Sequence, residues 1–210
     1  MEDKIKLFLQ YMNKEKELVR EWDREDGIDV DSPNYKQTLL SVDRVRAFIS
    51  YRNIRIEEAW YTKLNRGNND REIREKLYEY DAERSRRHSL ALNSMIGLND
   101  FGEMYGLPKF YDGELVRGQD IENYKNIDVR KEETKFFLGF VDQLCRTPGI
   151  VIEKYLAELG IDGEAKEEAS FIRELQSNVD TIDRKYNVDK PLLEDDDTIT
   201  FKDQEDLNRF

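Results

Sequence analysis

DREIREKLYEYDAERSRRHSLALNSMIGLN, residues 70–99, is a proline-free stretch whose apolar residues recur at helical intervals. Asn69 and Glu72 resemble a capping box, which predicts a helix that begins at the first residue of the stretch and continues to Gly97 or Asn99. Such a helix is about 45 Å long and is not stable alone in water. It must therefore pack along most of its length against the second predicted helix.

Several other segments before residue 186 carry the same periodicity. The four prolines and eleven glycines of the 210 residues leave long uninterrupted stretches. Ser32 and Pro33 predict the start of the second helix, as an N-cap followed by a proline in the first turn. The other predicted helices cover residues 3–24, 34–64, 128–145, 150–159 and 164–185. The predicted fold class is all-α: a helical bundle with long antiparallel helices and an acidic, partly disordered C-terminal extension.

Composition changes after Gly149 and predicts three parts. Residues 1–149 are expected to form the helical bundle core, and residues 150–186 an acidic helical extension. Residues 187–210 lack a helical period and are rich in acids, so we predict a disordered acidic tail.

The rare residues exclude several kinds of site. The single cysteine, Cys145, excludes a disulfide framework and multi-cysteine zinc sites, and the single histidine, His88, excludes multi-histidine zinc centres. The sequence contains no glycine-rich phosphate loop and no complete calcium loop. No apolar run is long enough to span a bilayer. We therefore predict a cytoplasmic protein with no membrane segment, no metal and no cofactor.

Charge is divided unevenly along the chain. The net charge is −12, yet residues 44–88 contain twelve basic and eight acidic residues, while residues 150–210 contain eight and seventeen. Solvated helix faces with i,i+4 ion pairs account for such runs in many proteins. Two functional hypotheses are also open. Residues 44–88 could contact nucleic acid directly, or the acidic regions could bind a basic, nucleic-acid-handling protein.

A polar ladder runs along the predicted inner face of the central helix. Asp81, Arg84, His88 and Asn99 lie along the side of that helix that also carries its apolar stripe. Buried charges need partners, and the preceding helix offers carboxylates such as Glu57 or Glu58.

Three hypotheses remain open for this ladder. It could be an internal network that fixes helix register, or a pocket in which Arg84 and Arg87 bind phosphate or carboxylate. It could also be a catalytic site, with His88 as general acid or base and Arg84 stabilising an anion. The spacing of Arg84 and His88 is too short for the motif of HEPN-type ribonucleases.

Residues 83–113 contain a motif that resembles part of a known domain family. The segment resembles an uncharacterised domain family of bacterial plasmids and integrative elements, in which an arginine-rich turn before a histidine is followed by a helical Leu-x-x-Leu-Asn and a Gly-Leu-Pro-x-Phe/Tyr turn. The matching residues are Arg87, His88, Leu98, Asn99, Gly106, Leu107, Pro108 and Tyr111. The resemblance implies cargo of a mobile genetic element. Inhibitors of type II CRISPR effector nucleases are one such cargo, and acidic proteins of this size occur among them.

The first functional hypothesis is therefore a non-catalytic, anti-CRISPR-like inhibitor that binds a CRISPR effector nuclease, or blocks its guide-RNA loading, through an acidic surface. The acids expected to bind are Glu164, Glu167, Glu168, Glu194, Asp195, Asp196 and Asp197. One alternative is an RNA- or nucleotide-acting enzyme centred on Arg84, Arg87, His88 and Asn99. Another is a homo-oligomeric structural protein, since the sequence leaves the oligomeric state open.

Overall fold

The chain folds as an all-α protein, as predicted. The structure is a computed structural model that describes residues 1–68, 70–115, 126–161, 165–190 and 199–202. Its described helices are α1 (Glu2–Glu25), α2 (Leu40–Asn68), α3 (Arg71–Met104), α4 (Asn126–Arg146), α5 (Gly149–Glu158) and α6 (Ala165–Tyr186). Two short antiparallel strands follow, β1 (Val188–Lys190) and β2 (Thr200–Phe201). No helix within the described ranges is both long and apolar enough to cross a membrane.

The α2–α3 hairpin is the longest feature of the bundle. Asp70 caps α3 by accepting a hydrogen bond from the Glu72 backbone N at 2.8 Å. The helix continues beyond the predicted end at Gly97 or Asn99, to Met104. A Cβ atom on Gly102 would lie 2.2 Å from the Tyr11 hydroxyl, so glycine permits close packing of α1 there and does not end the helix.

The start of α2 differs from the prediction. The helix begins at Leu40, not at residue 34, and Ser32 only accepts a turn hydrogen bond from the Asn34 backbone N. The buried carboxylate of Glu15 on α1 accepts from the Leu40 N at 2.6 Å and from the Ser41 N at 2.8 Å. A distant acidic side chain thus satisfies the free N–H groups of the first turn, which sequence patterns near residue 33 could not reveal.

Aromatic packing fixes α4 against the hairpin. The Phe137 ring stacks on Phe48 of α2 at 5.2 Å between centroids, and it meets Tyr51 edge-on at 5.5 Å. Phe140 packs edge-on against Phe8 of α1 at 5.7 Å. All four phenylalanines are fully buried, so this contact holds α1, α2 and α4 together.

Helices α5 and α6 pack into the same core. Leu156 of α5 and Leu175 of α6 are fully buried and join one continuous apolar cluster with α1, α2 and α4. A bidentate ion pair adds to this contact. The Arg52 guanidinium of α2 donates to both carboxylate oxygens of Asp183 on α6, each at 2.9 Å. Residues 150–186, predicted to be an extension, therefore share the core of residues 1–149.

The predicted disordered tail is partly ordered. Residues 187–190 and 199–202 form the β1–β2 pair, with Val188 opposite Phe201. Phe201 meets Trp60 of α2 edge-on at 5.1 Å, and this apolar contact anchors β2. Residues 191–198 and 203–210 lie outside the described residues.

The Arg52–Asp183 pair should contribute strongly to stability. Replacing Asp183 with Asn removes the charge opposite a guanidinium that is 1% exposed. We expect the free energy of unfolding to fall by about 3 kcal/mol, because the buried guanidinium loses the carboxylate that accepts two of its hydrogen bonds. Urea denaturation followed by circular dichroism measures this change.

Asp180 provides the matched control on the same helix. Its pair with Arg184 is exposed, with 3.5 Å between Nη2 and Oδ2, so Asp180→Asn should cost less than about 1 kcal/mol. Equal losses in the two variants would contradict a structural role for the buried pair.

Candidate functional site

His88 lies where α2, α3 and α4 meet. Its ring packs against Tyr51 at 4.9 Å and Phe137 at 6.3 Å, and its Nε2 lies 2.7 Å from the Thr134 hydroxyl oxygen. The imidazole is half-buried. Contacts from two other helices therefore fix the orientation of this α3 side chain.

Arg84 lies one turn before His88 and connects α3 to α2. Its Nε is 2.7 Å from Glu58 Oε2, which confirms the expectation that a carboxylate of the preceding helix meets it. Arg84 Nη2 also pairs with Asp81 one turn back on α3. Of the predicted ladder, Asp81 and Arg84 thus form one ion-paired group, and His88 stands beside it with a different partner, Thr134.

Together these residues line a cleft of about 440 Å³, which we call the cationic cleft. Tyr51 and Leu138 form part of its apolar wall. Its charged lining residues are Arg55, Glu58, Arg84, Arg130, Lys131 and Lys135. Five of these six side chains are basic, so the cleft is positively charged although the protein is strongly acidic.

The positive charge of the cleft contributes to a lowered pKa of His88. The pKa of His88 is lowered to about 4, most strongly by burial and then by the positive charges of Arg130, Arg84 and Arg55, in that order. Three guanidinium groups from three helices therefore act on one imidazole. His88 is neutral at pH 7, and the positive potential at this point favours an anion.

Arg130 is the side chain of the cleft with the fewest internal bonds. Its Nε is buried and has no hydrogen-bond partner, and it forms no ion pair within the described ranges. The neighbouring lysines form exposed pairs, Lys131 with Asp128 at 3.9 Å and Lys135 with Glu132 at 3.5 Å, and all four side chains are at least half exposed. Such exposed pairs cost little to exchange for a ligand.

Arg87 and Asn99, also predicted as site residues, lie elsewhere. Arg87 donates from Nε to Glu83 at 2.6 Å and from Nη1 to the Ser50 carbonyl at 3.3 Å, and it does not line the cationic cleft. Asn99 is eleven residues beyond His88, about 16 Å along the helix. Its amide bonds the backbone N and O of Tyr111, each at 2.8 Å, and so holds the 107–111 loop.

The predicted acidic binding residues fall outside what the structure describes. Glu164 and the 194–197 cluster lie outside the described residues. Glu167 and Glu168 belong to α6, but their side chains also lie outside the described part of the chain. The acidic-surface hypothesis therefore stays a prediction.

Sequence reasoning missed the residues that α4 contributes. Arg130, Thr134 and Phe137 are spaced four and three residues apart and therefore share one helix face. That spacing could have identified them. A helix face that begins with a charged residue and continues with apolar ones indicates the edge of a cleft. The α2 residue Arg55 was considered only as part of a basic run.

The comparisons with known proteins add no relative. No protein family, curated protein or solved structure matches this chain. Among the described residues, no three His, Cys, Asp or Glu side chains are grouped as metal ligands would be.

Because His88 is the single histidine of the chain, its imidazole NMR signals report directly on the cleft. Proton NMR of the His88 imidazole should show a pKa of about 4, and Arg130→Gln should raise it because one nearby positive charge is lost. Because the folded-state pKa lies below the ordinary value near 6.5, the unfolded chain binds more protons between the two. The free energy of unfolding should therefore fall as pH decreases from about 6.5 to about 4.

Lys131→Gln is the control for this titration. Lys131 lines the same cleft and adjoins Arg130 in the chain, but its charge is not among the causes of the His88 shift. A His88 pKa near 6.5 in the wild-type protein, or equal shifts in both variants, would contradict the described geometry.

Proposed function

We propose that this protein binds a phosphate-bearing ligand in the cationic cleft and acts by binding, not by catalysis. The observation that carries the proposal is the Arg130 guanidinium, which lines the cleft and forms no ion pair within the described ranges. Because its Nε is shielded from solvent, the terminal Nη groups are the donors that an oxyanion in the cleft would meet.

The chemistry of the lining favours phosphate. Guanidinium groups present planar donors that bind phosphate oxygens in pairs, and the lysines add positive charge at the rim. The Thr134 hydroxyl and the neutral His88 ring add polar groups that need no counter-charge. At about 440 Å³, the cleft has the size of a small-ligand site.

The histidine argues against general base catalysis. A catalytic base works best with a pKa near the operating pH, whereas the His88 pKa is about 4. Asn99, the fourth residue of the predicted enzyme site, is occupied by the Tyr111 backbone. The cationic cleft therefore fits a binding site better than a catalytic centre.

Phosphate titration tests this proposal. Inorganic phosphate added at constant ionic strength should shift the His88 proton resonances in a saturable way. It should also raise the His88 pKa, because a bound anion offsets the three guanidinium charges. Arg130→Gln should weaken phosphate binding about tenfold or more, as expected for loss of a charge-assisted hydrogen bond.

Arg86→Gln is the matched control for phosphate binding. Arg86 is an exposed arginine of α3 that pairs with Glu83 and does not line the cleft. It should bind phosphate as the wild-type protein does. Identical responses to phosphate and to chloride would contradict a phosphate site.

The acidic regions support a second proposal, that the protein binds a basic, nucleic-acid-handling partner such as a CRISPR effector nuclease. The supporting observation is the net charge of −12, with eight basic and seventeen acidic residues in residues 150–210. Opposite charges of this size accelerate association and make it sensitive to salt. A mobile-element inhibitor of a defence nuclease would have such a partner.

A pull-down before and after nuclease treatment separates the two proposals. A basic protein partner that survives nuclease, and whose association slows when residues 194–197 are neutralised, would support the acidic surface. Loss of every partner on nuclease treatment would contradict it and favour binding through the cationic cleft.

A further inference from the structure

A second groove continues the cationic cleft along α2. Its volume is about 370 Å³, and Arg55 and Glu58 line both cavities, so the two are neighbours along α2. The second groove adds Lys63 and Arg66 of α2 and Phe201 of β2. Its floor is α2 itself, and β2 forms one side.

The basic residues extend over a distance that one phosphate cannot cover. Arg55 and Arg66 are eleven residues apart on helix α2, about 16 Å along its axis. At the axial spacing of about 3.4 Å per nucleotide of a stacked strand, this corresponds to about five nucleotides. A ligand that satisfies both ends must therefore be a polyanion.

The described residues that line the two grooves carry little negative charge. Glu58 is the sole carboxylate among them, and it is 2.7 Å from Arg84. Arg66 is exposed and has no carboxylate partner within the described ranges. The positive charge of Arg66 is therefore open to a ligand.

Phe201 adds a surface that phosphate alone would not need. Its ring lines the second groove, is held edge-on by Trp60 at 5.1 Å, and has Lys63 Nζ 5.8 Å from its centroid. An aromatic ring beside a basic groove is the combination that binds single-stranded nucleic acid, where bases stack and phosphates pair with cations.

We propose that the two adjoining grooves form one site for single-stranded nucleic acid, with a backbone phosphate beside Arg130, further phosphates along α2 towards Arg66, and a base against Phe201. This inference rests on the proposed phosphate site and extends it to a ligand class.

Fluorescence anisotropy with labelled ten-nucleotide probes tests the inference. A uridine RNA and a thymidine DNA of that length should each bind, and the tighter of the two identifies the natural sugar. With about three phosphates neutralised, the logarithm of the association constant should fall against the logarithm of salt concentration with a slope of about −2. A labelled peptide of ten glutamates should bind at least tenfold more weakly.

Arg66→Gln distinguishes this inference from the phosphate site alone. The variant should bind the ten-nucleotide probes about fivefold more weakly and lower the salt slope by about 0.7, because one phosphate contact is lost. It should leave the His88 response to inorganic phosphate unchanged, since Arg66 lines only the second groove. Arg71→Gln, at an exposed pair with Glu75 on α3, should bind all probes normally.

The possible results distinguish failure of the phosphate site from failure of the nucleic-acid inference. If His88 does not respond to inorganic phosphate, the proposed phosphate site fails. If His88 responds but the ten-nucleotide probes bind no more tightly than phosphate, or Arg66→Gln has no effect on them, the nucleic-acid inference fails while the phosphate site stands. Tighter binding of the glutamate peptide than of both oligonucleotides would also overturn the inference.

Discussion

The packing of Phe137 against Phe48 and Tyr51 is the contact on which the cationic cleft depends. It sets the height and rotation of α4 on the α2–α3 hairpin. Because Arg130 and Thr134 precede Phe137 by seven and three residues on the same helix face, that single contact places them against His88. Apolar burial thus provides the free energy that holds several like charges together.

The cleft arises because one face of each of α2, α3 and α4 changes from apolar to charged residues at the same level of the bundle. On α3 the buried residues Ala91 and Met95 give way to His88 and Arg84 towards the N-terminus. On α2 the buried stretch ends near Ile56 and charged residues follow, and on α4 the buried run is preceded by basic residues. The antiparallel arrangement of α2 and α3 brings these changes together, so the positive charge collects in one place.

Helical periodicity was enough to predict the fold class and most helix positions, because apolar spacing is a local property of the chain. The cost of burying an unpaired charge also predicted that Arg84 meets Glu57 or Glu58, and Glu58 is the residue that it meets. The cap that Glu15 gives to α2 and the contribution of Arg130 to the cleft depend on contacts between residues far apart in sequence. The spacing of Asn99 and His88 places both on one face of α3. They are eleven residues apart along the helix, however, and therefore belong to different contacts.

The most direct test of the account is to locate a bound oxyanion. Crystals grown with tungstate, an analogue of phosphate, would reveal the ion by anomalous scattering. The account predicts tungsten in the cationic cleft with its oxygens within hydrogen-bond distance, about 2.7–3.2 Å, of the Arg130 guanidinium. Tungstate bound only at other surfaces, with the cleft empty, would contradict it.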